Sequence, residues 1–488
     1  MNQDGLRVLI AASEAAPLAQ TGGLAEVAGS LPLALKAQGC EVALVMPAYR
    51  QILESGRQWE TAARDLPVRL GNLHLTADIL TGELAPGVPV FLVRRDEFFD
   101  RSGLYGNHDG DYFDNPERFI FFSRTIPALC PGVGFVPDVV LANDWQTGLI
   151  MALLDLGAMA RTAGVFTIHN QGFLGLVPPD RSSNIGLPER YYGLDGLEYF
   201  GQMSLLKSGI VFAETVVTVS PTYAREIQTP DFGHGLDGLM RAAAVRLRGI
   251  LNGVDYTVWN PATDRHLAAN YSPRDLSGKA MCKRDLLMKM GLTGLRDKPV
   301  LGMVTRLAAQ KGCNLVLEAA EELFAQDVGL IVLGSGEERI EEEFTRLQGR
   351  FPDRVGLKIG FDPVLAHEII AGSDMLLMPS MYEPCGLAQM FSLKYGTVPV
   401  VRATGGLNDT VREAAGENGP ANGFKFGPFQ SRALTLAVRR ALEAFRNPDR
   451  WRAVMLAGMA EDFSWDRSAL EYIEVFEKAV EARRSRKA

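Results

Sequence analysis

The chain has 488 residues, 47% hydrophobic and 22% charged, with a formal net charge of −8. This is an ordinary globular composition, with core enough for two large domains or about three smaller ones. Its acidity and lack of a sustained basic block exclude nucleic acid and an anionic membrane surface as main partners, so local cations must hold any anionic ligand.

The first apolar stretch, Val8–Ala12, is short and meets Glu14, so it reads as a strand and not a signal peptide. No run approaches the ~18 apolar residues needed to cross a bilayer. Further expected strands are Glu41–Met46, Val88–Val93, Val139–Leu141, Gly164–Ile168 and Thr215–Val219. Arg248–Pro261 gathers Gly, Asn, Asp and Pro as a connection does. The pattern then restarts with Val300–Val304, Gly329–Leu333, Val355–Ile359, Met375–Met378 and Val398–Val401, with helices such as Asn314–Gln326 and Ala366–Ala371 between them. Alternation of this kind predicts an α/β fold: two Rossmann-like, doubly wound parallel sheets of similar size facing a central cleft. The expected domains are residues 1–254 and 255–463, with a helix over 464–488 joining the first. That helix places Trp465, Leu470, Ile473, Phe476 and Val480 about one turn apart and ends in a solvated Arg483–Lys487 segment. The cysteines Cys40, Cys130, Cys282, Cys313 and Cys385 lie far apart, and the histidines are scattered. Reduced thiols, a cytoplasmic setting and no metal site are expected.

The tetrapeptide Thr-Gly-Gly-Leu occurs at Thr21–Leu24 and again at Thr404–Leu407, each time after a β-branched run and before a helix-like segment. Each copy is expected to end a strand, bring the backbone of Gly22-Gly23 or Gly405-Gly406 close to a ligand, and aim helix-start amides at an anion. Arg306 leaves a strand end and Lys311 follows five residues on. Two such cations fit a diphosphate, arginine gripping oxygens bidentately and lysine adding a point charge. In Glu383-Pro384-Cys385-Gly386-Leu387, Pro384 fits a first helical turn, amides from Gly386 onward face a ligand, and Glu383 accepts from sugar hydroxyls. Cys385 reads as packed. In the first half, Asn143-Asp144-Trp145-Gln146 and Thr167-Ile168-His169-Asn170 place polar groups at strand ends, and Asn252 lies at the connection.

Taken together, these motifs resemble the bacterial glycogen synthase and plant starch synthase family, from Val8 to about residue 475. The resemblance also covers Ser220-Pro221-Thr222-Tyr223-Ala224, Trp259-Asn260-Pro261-Ala262-Thr263-Asp264 and Gln310-Lys311-Gly312. It implies a retaining glucosyltransferase of the GT-B type that adds glucose from ADP-glucose to the non-reducing end of an α-1,4-glucan, without cofactor or metal. By the same resemblance Arg306 and Lys311 hold the donor diphosphate, Glu383 and His169 surround the transferred glucose, and Asp144 and Asn252 line the cleft. Gln20, Gly22, Gly23, Cys385, Gly386, Leu387, Thr404, Gly405 and Gly406 belong to the donor site. Tyr105 and Asn170 fall on the sugar side, and Phe361 sits where a tyrosine commonly stacks near the adenine. Four departures stand out. Gln20 replaces a lysine, Asn143 and Gln146 replace histidines around Asp144, the loop after Asn170 is shortened, and Cys313-Asn314 stands where Phe-Asp commonly follows Lys311-Gly312.

Developing charge on the leaving diphosphate makes preorganised positive charge the main expected catalytic contribution. No carboxylate reads as a covalent nucleophile, so same-face attack with the leaving phosphate taking the acceptor's proton is the expected course. Two rival readings remain: UDP-glucose as donor, prompted by Gln20, and a non-catalytic glucan- or nucleotide-binding relative. A nicotinamide-dependent dehydrogenase is disfavoured, because no Gly-x-Gly-x-x-Gly follows the first strand. The sequence does not fix an oligomeric state.

Overall fold

The computed structural model describes residues 5–107, 110–413 and 420–486. By internal contacts the chain divides into two compact units, residues 1–253 with 465–488, and residues 254–464.

The first unit is built on one sheet. Its strands are β1 (Arg7–Ala11), β2 (Glu41–Pro47), β3 (Glu60–Leu70), β4 (Leu73–Ala85), β5 (Val88–Arg94), β6 (Val139–Asn143), β7 (Ala163–Ile168), β8 (Thr215–Thr218) and β9 (Leu247–Gly249). The order across the sheet is β9-β8-β7-β6-β1-β2-β5-β4-β3. From β9 to β5 every pairing is parallel. β1, β6 and β7 are mainly apolar and almost wholly buried, with Arg7, Asn143 and Thr167 as their polar members, as strands covered on both faces must be. β1 pairs with β2 on one side and β6 on the other. Strand order therefore reverses between β1 and β6, and the chain leaves both strands in the crevice that such a reversal creates.

β3 and β4 form an antiparallel hairpin that extends the sheet past β5. Sequence reading missed it because β3 is mostly exposed and presents no sustained alternation. The two sheets are consequently unequal, nine strands against six, and not of similar size as expected.

The second unit holds β10 (Val300–Val304), β11 (Gly329–Gly334), β12 (Val355–Ile359), β13 (Met375–Met378), β14 (Val398–Arg402) and β15 (Phe424–Phe426). Their order is β12-β11-β10-β13-β14-β15, all parallel. The unexpected edge strand β15 is only three residues long, too short for a periodic signal. The Trp259–Asp264 motif is a structural staple here. The Trp259 ring lies between His367 at 3.7 Å and Phe391 at 4.0 Å, each only 5° from parallel. Asp264 Oδ2 accepts from the Tyr395 hydroxyl at 2.6 Å and pairs with His367 Nδ1 at 2.7 Å.

The C-terminal helix, Trp465–Ser485, packs in the first unit against β7 and the helix Gly23–Ala37. Its buried stripe is Trp465, Ala469, Tyr472, Val475, Phe476, Ala479 and Val480. Leu470, expected on that stripe, is exposed, and Ile473 is only partly covered. The expected solvated end also needs correction: Arg483 is buried, pairs with the buried Glu214 at 3.2 Å and donates to the Leu154 carbonyl. The Glu214 carboxylate, directly before β8, draws the cation inward, since a buried charge needs a partner. Lys487 lies outside the described residues. Among the described residues no helix is long and apolar enough to cross a membrane, and no cluster of His, Cys, Asp and Glu could hold a metal ion.

Candidate active site

In the first unit the functional side chains stand just beyond β1, β6 and β7. Glu14, three residues past the end of β1, is buried. Its carboxylate accepts from the Thr21 amide, from the Thr21 hydroxyl at 2.9 Å and from the Gly22 amide at 3.3 Å. Burial raises its pKa, and these hydrogen bonds pull the other way. The Gly22 amide, expected to face a ligand, is thus already taken, together with the Thr21 amide beside it, by a side chain of this unit. Helix α1 (Gly23–Ala37) begins next. A Cβ at Gly22 or Gly23 would meet nothing within 4 Å, so both glycines border open space. Gln20 is exposed and donates to Glu26 at 2.8 Å. Tyr105 shares a hydrogen bond with Ser13 at 2.7 Å, its carbonyl accepts from Asn115 at 2.8 Å, and burial holds its hydroxyl well above the usual pKa.

Asp144 follows β6 directly, with φ 57°, a left-handed conformation that aspartate tolerates. Its Oδ1 accepts from the His169 amide at 2.7 Å and from the Asn170 amide at 3.4 Å. Burial raises its pKa to about 7 against the opposing pull of those amides. The half-buried His169 ring is pushed down to about 3 by desolvation and stays neutral. Its tautomer can be assigned from the hydrogen-bond network. Asn143 donates its amide nitrogen to the carbonyls of Ala11 at 3.0 Å and Leu141 at 3.3 Å. Its Oδ1, 2.9 Å from His169 Nε2, must then accept, so the proton sits on Nε2 and Nδ1 is the free acceptor. Asn170 turns its own Oδ1 onto the Gly172 amide at 3.0 Å. Asn252 is buried, and its Oδ1 finds no hydrogen-bond partner among the described residues.

In the second unit Arg306 and Lys311 follow β10. Lys311 Nζ lies 2.8 and 2.7 Å from the two carboxylate oxygens of Glu383, and Ser380 donates to the same carboxylate at 2.8 Å. Lys311 therefore already has an anionic partner within its own unit. Arg306 is exposed and donates to Gln310 at 3.1 Å. No carboxylate pairs with it among the described residues.

The segment from Glu383 to Leu387 is a loop, and the helix α2 (Ala388–Lys394) begins only after it. Pro384 is thus four residues ahead of the helix and not in its first turn. Gly386 has φ 72°, and the amides of Gly386 and Leu387 have no protein acceptor among the described residues. Cys385 is buried, as expected of a packed thiol. Thr404 precedes the short helix α3 (Gly405–Thr410). A Cβ on Gly405 would lie 1.9 Å from the Glu383 carbonyl, and one on Gly406 2.1 Å from that of Cys385. The Gly406 amide donates to the Glu383 and Pro384 carbonyls at 3.2 and 3.1 Å. These glycines let the Glu383 loop lie directly on α3, unlike their counterparts in the first unit. Phe361, in the loop after β12, is 88% exposed.

Three supporting residues escaped sequence reading. Glu14 and Ser380 are ordinary-looking neighbours of strand ends. Gln389, fully buried on α2, donates to the carbonyls of Cys385 and Gly386, each at 3.0 Å, and to the Thr410 hydroxyl at 3.2 Å. It ties the Glu383 loop to α3. A glutamine on an apolar helix face was its only signal.

Comparison with known proteins gives consistent matches. A family described as starch synthase catalytic domain matches residues 7–242, and one described as glycosyl transferases group 1 matches residues 293–453. Glycogen synthase from Desulfatibacillum aliphaticivorans is 49% identical over 482 residues, spanning 98% of this chain and all of that protein. Glycogen synthase from Moorella thermoacetica is 46% identical over 488 residues, spanning 98% of each. The solved catalytic domain of starch synthase IV from Arabidopsis thaliana, bound to ADP and acarbose, superposes with a TM-score of 0.90 at 32% identity, covering 98% of this chain and 100% of that one. Sucrose-phosphate synthase from Thermosynechococcus elongatus, at 17% identity and a TM-score of 0.62 over 97% of this chain and 98% of that one, shares the fold.

Proposed function

This chain belongs to the glycogen synthase and starch synthase family of GT-B-type glucosyltransferases, and from that membership we propose the finer chemistry. The protein transfers glucose from ADP-glucose to the non-reducing end of an α-1,4-glucan, with retention of configuration. Arg306 and Lys311 bind the donor diphosphate and stabilise the charge that builds as the glucosyl bond breaks. Glu383, held by Lys311 and Ser380, accepts from glucose hydroxyls. The Gly386 and Leu387 amides add dipoles, Gln389 keeps their loop in place, and Phe361 stacks on the adenine.

In the first unit His169 acts as a neutral acceptor, through Nδ1 and its main-chain carbonyl. Desolvation, which pushes the ring down to about 3, makes it too weak a base to keep the acceptor hydroxyl's proton, so that proton goes to the departing phosphate. Asp144 fixes the His169–Asn170 segment, and Tyr105 and Asn170 meet the sugar. The reaction needs no metal, because side-chain cations neutralise the leaving group.

The observation that supports this reading most is Arg306: an exposed guanidinium beyond a strand end, spent on one neutral partner, five residues before a lysine already fixed by a carboxylate. Such a group is suited to a bidentate anion. Gln20 favours a second donor. It puts a neutral amide, tied to Glu26, where a lysine is common, and so prompts UDP-glucose. Initial rates of nucleotide release with glycogen and each donor test both. The reading requires ADP-glucose to give the higher kcat/KM, and absence of transfer from either donor would end it. Anomeric configuration of the product by proton NMR checks retention.

A further inference from the structure

The strands Glu198–Tyr199 and Gln202–Ser204 pair through a two-residue turn, Phe200-Gly201. Phe200 has φ 46° and Gly201 φ 81°, the left-handed pair that Asn-Gly or Gly-Gly supplies without strain. A phenylalanine is strained there, and its side chain, 80% exposed, gains little by burial. Neither local conformation nor packing accounts for the residue, and retained strain of this kind points to function.

The ring is nonetheless held. Tyr199 meets it edge-on, with 4.8 Å between centroids, and the Tyr199 hydroxyl donates to the His234 carbonyl at 2.8 Å. His234 is itself left-handed, at φ 47°. A Cβ on Gly235 would come within 2.8 Å of the Tyr199 hydroxyl and 3.2 Å of the Phe200 ring, so this loop presses against both aromatics. The loop also reaches the candidate site of the same unit. The Gly233 carbonyl accepts from the Gln171 side chain at 2.7 Å, and the Gln171 amide donates to the Tyr223 hydroxyl at 3.0 Å. Gln171 follows His169 and Asn170 directly in the chain.

We infer that Phe200, braced by Tyr199 and the Gly233–Gly235 loop, is a docking platform for the glucan chain, outside the residues that meet the reacting sugar. The inference rests on the proposed function and extends it to the length of the acceptor. Glucose rings in such a chain present apolar C–H faces between hydroxyl edges. An outward aromatic face suits those C–H faces, with the polar edges left in water. Leu194, exposed on the preceding loop, adds apolar surface. Its carbonyl and that of Glu198 accept from Lys207 at 2.7 and 2.6 Å.

The test uses the full-length protein with Phe200→Asn and Phe200→Ala, and Val245→Asn, another exposed apolar position, as control. KM is measured for glycogen and for maltotriose, and retardation is measured in native gels cast with glycogen. Both Phe200 variants are expected to raise the glycogen KM about tenfold more than the maltotriose KM, and to lose gel retardation. Phe200→Asn should melt at or above the wild-type temperature, because asparagine accepts the left-handed conformation. Parallel changes in the two KM values, unchanged retardation, or a lower melting temperature for Phe200→Asn would overturn the platform. So would loss of a self-association in sedimentation, which would make the ring a protein interface. Wild-type protein that transfers no glucose to either acceptor would refute the proposed function instead.

Discussion

Removing Lys311 should do two separable things. Its ammonium touches both oxygens of Glu383, and the two side chains are 17% and 8% exposed. Breaking a buried pair from one side strands the other charge and typically costs ~3–5 kcal/mol. Ser380 still donates to Glu383, and Lys311 keeps some contact with water. The stability loss for Lys311→Met is therefore placed near ~3 kcal/mol, at the low end of that range. Adding Glu383→Gln removes the stranded charge, so the double variant should be more stable than the sum of the singles by at least ~1.5 kcal/mol. Activity should not follow. Loss of a cation at the leaving group costs ~2.7–4 kcal/mol of barrier, a fall of about 10²–10³ in rate, and the second substitution restores nothing. Urea unfolding followed by tryptophan fluorescence gives the stabilities, and initial rates of ADP release give the activities. Strictly additive destabilisation, within ~0.5 kcal/mol, would refute the coupled pair. Recovery of activity in the double variant would refute the catalytic assignment.

Asp144 and His169 should make opposite contributions to acid stability. Asp144 is raised from 3.8 to about 7. Between those values the folded state holds the extra proton, and this contribution is lost as pH rises through about 7. His169 is lowered from 6.5 to about 3, so in that window the unfolded state holds the extra proton and acidification destabilises. Asp144→Asn should therefore lose stability below about pH 6.5, with a slope up to ~1.4 kcal/mol per pH unit, and His169→Gln should gain stability between about pH 7 and 4. Urea midpoints across that range with the opposite signs would disprove the assignment. Phe361→Ala should raise the ADP-glucose KM about threefold to tenfold, from ~0.5–1.5 kcal/mol of lost stacking, while Phe361→Tyr keeps it; equal KM values for Ala and Tyr would exclude stacking. Trp259→Ala removes a half-buried ring held between two others, so unfolding free energy should fall by about 3 kcal/mol, the low end for such truncations. A loss under ~1 kcal/mol would show the stack to be incidental. Transfer activity should persist in a chelator, and activity that vanishes there and returns with magnesium would contradict metal independence.

Much of the fold was legible because β1, β2, β6, β7 and the first five strands of the second unit are dense apolar runs set between helices. The β3–β4 hairpin was not, since an exposed antiparallel ribbon shows no sustained period. The end of the C-terminal helix misled for a related reason. Arg483 looks solvated in a basic tail, and only the fold brings Glu214 to it. The strand-end polar residues were legible as candidates, but their partnerships were not. Glu14 capping Thr21 and Gly22 depends on the turn between them, and Asn143 setting the His169 tautomer and Glu383 neutralising Lys311 join residues distant in sequence. The twin Thr-Gly-Gly-Leu motifs are the clearest case. The same four letters border open space in the first unit and press against a loop in the second, and only the surroundings tell them apart.

Arg306 offers the most direct check on cationic stabilisation of the leaving diphosphate. Exposed, with Gln310 as its hydrogen-bond partner, it should be removable with a stability change within ~0.5 kcal/mol. Arg306→Ala is expected to release ADP from ADP-glucose, in the presence of glycogen, about 10²–10³ times more slowly than the wild type while unfolding at the same urea concentration. A folded Arg306→Ala protein working within about threefold of the wild-type rate would contradict the account.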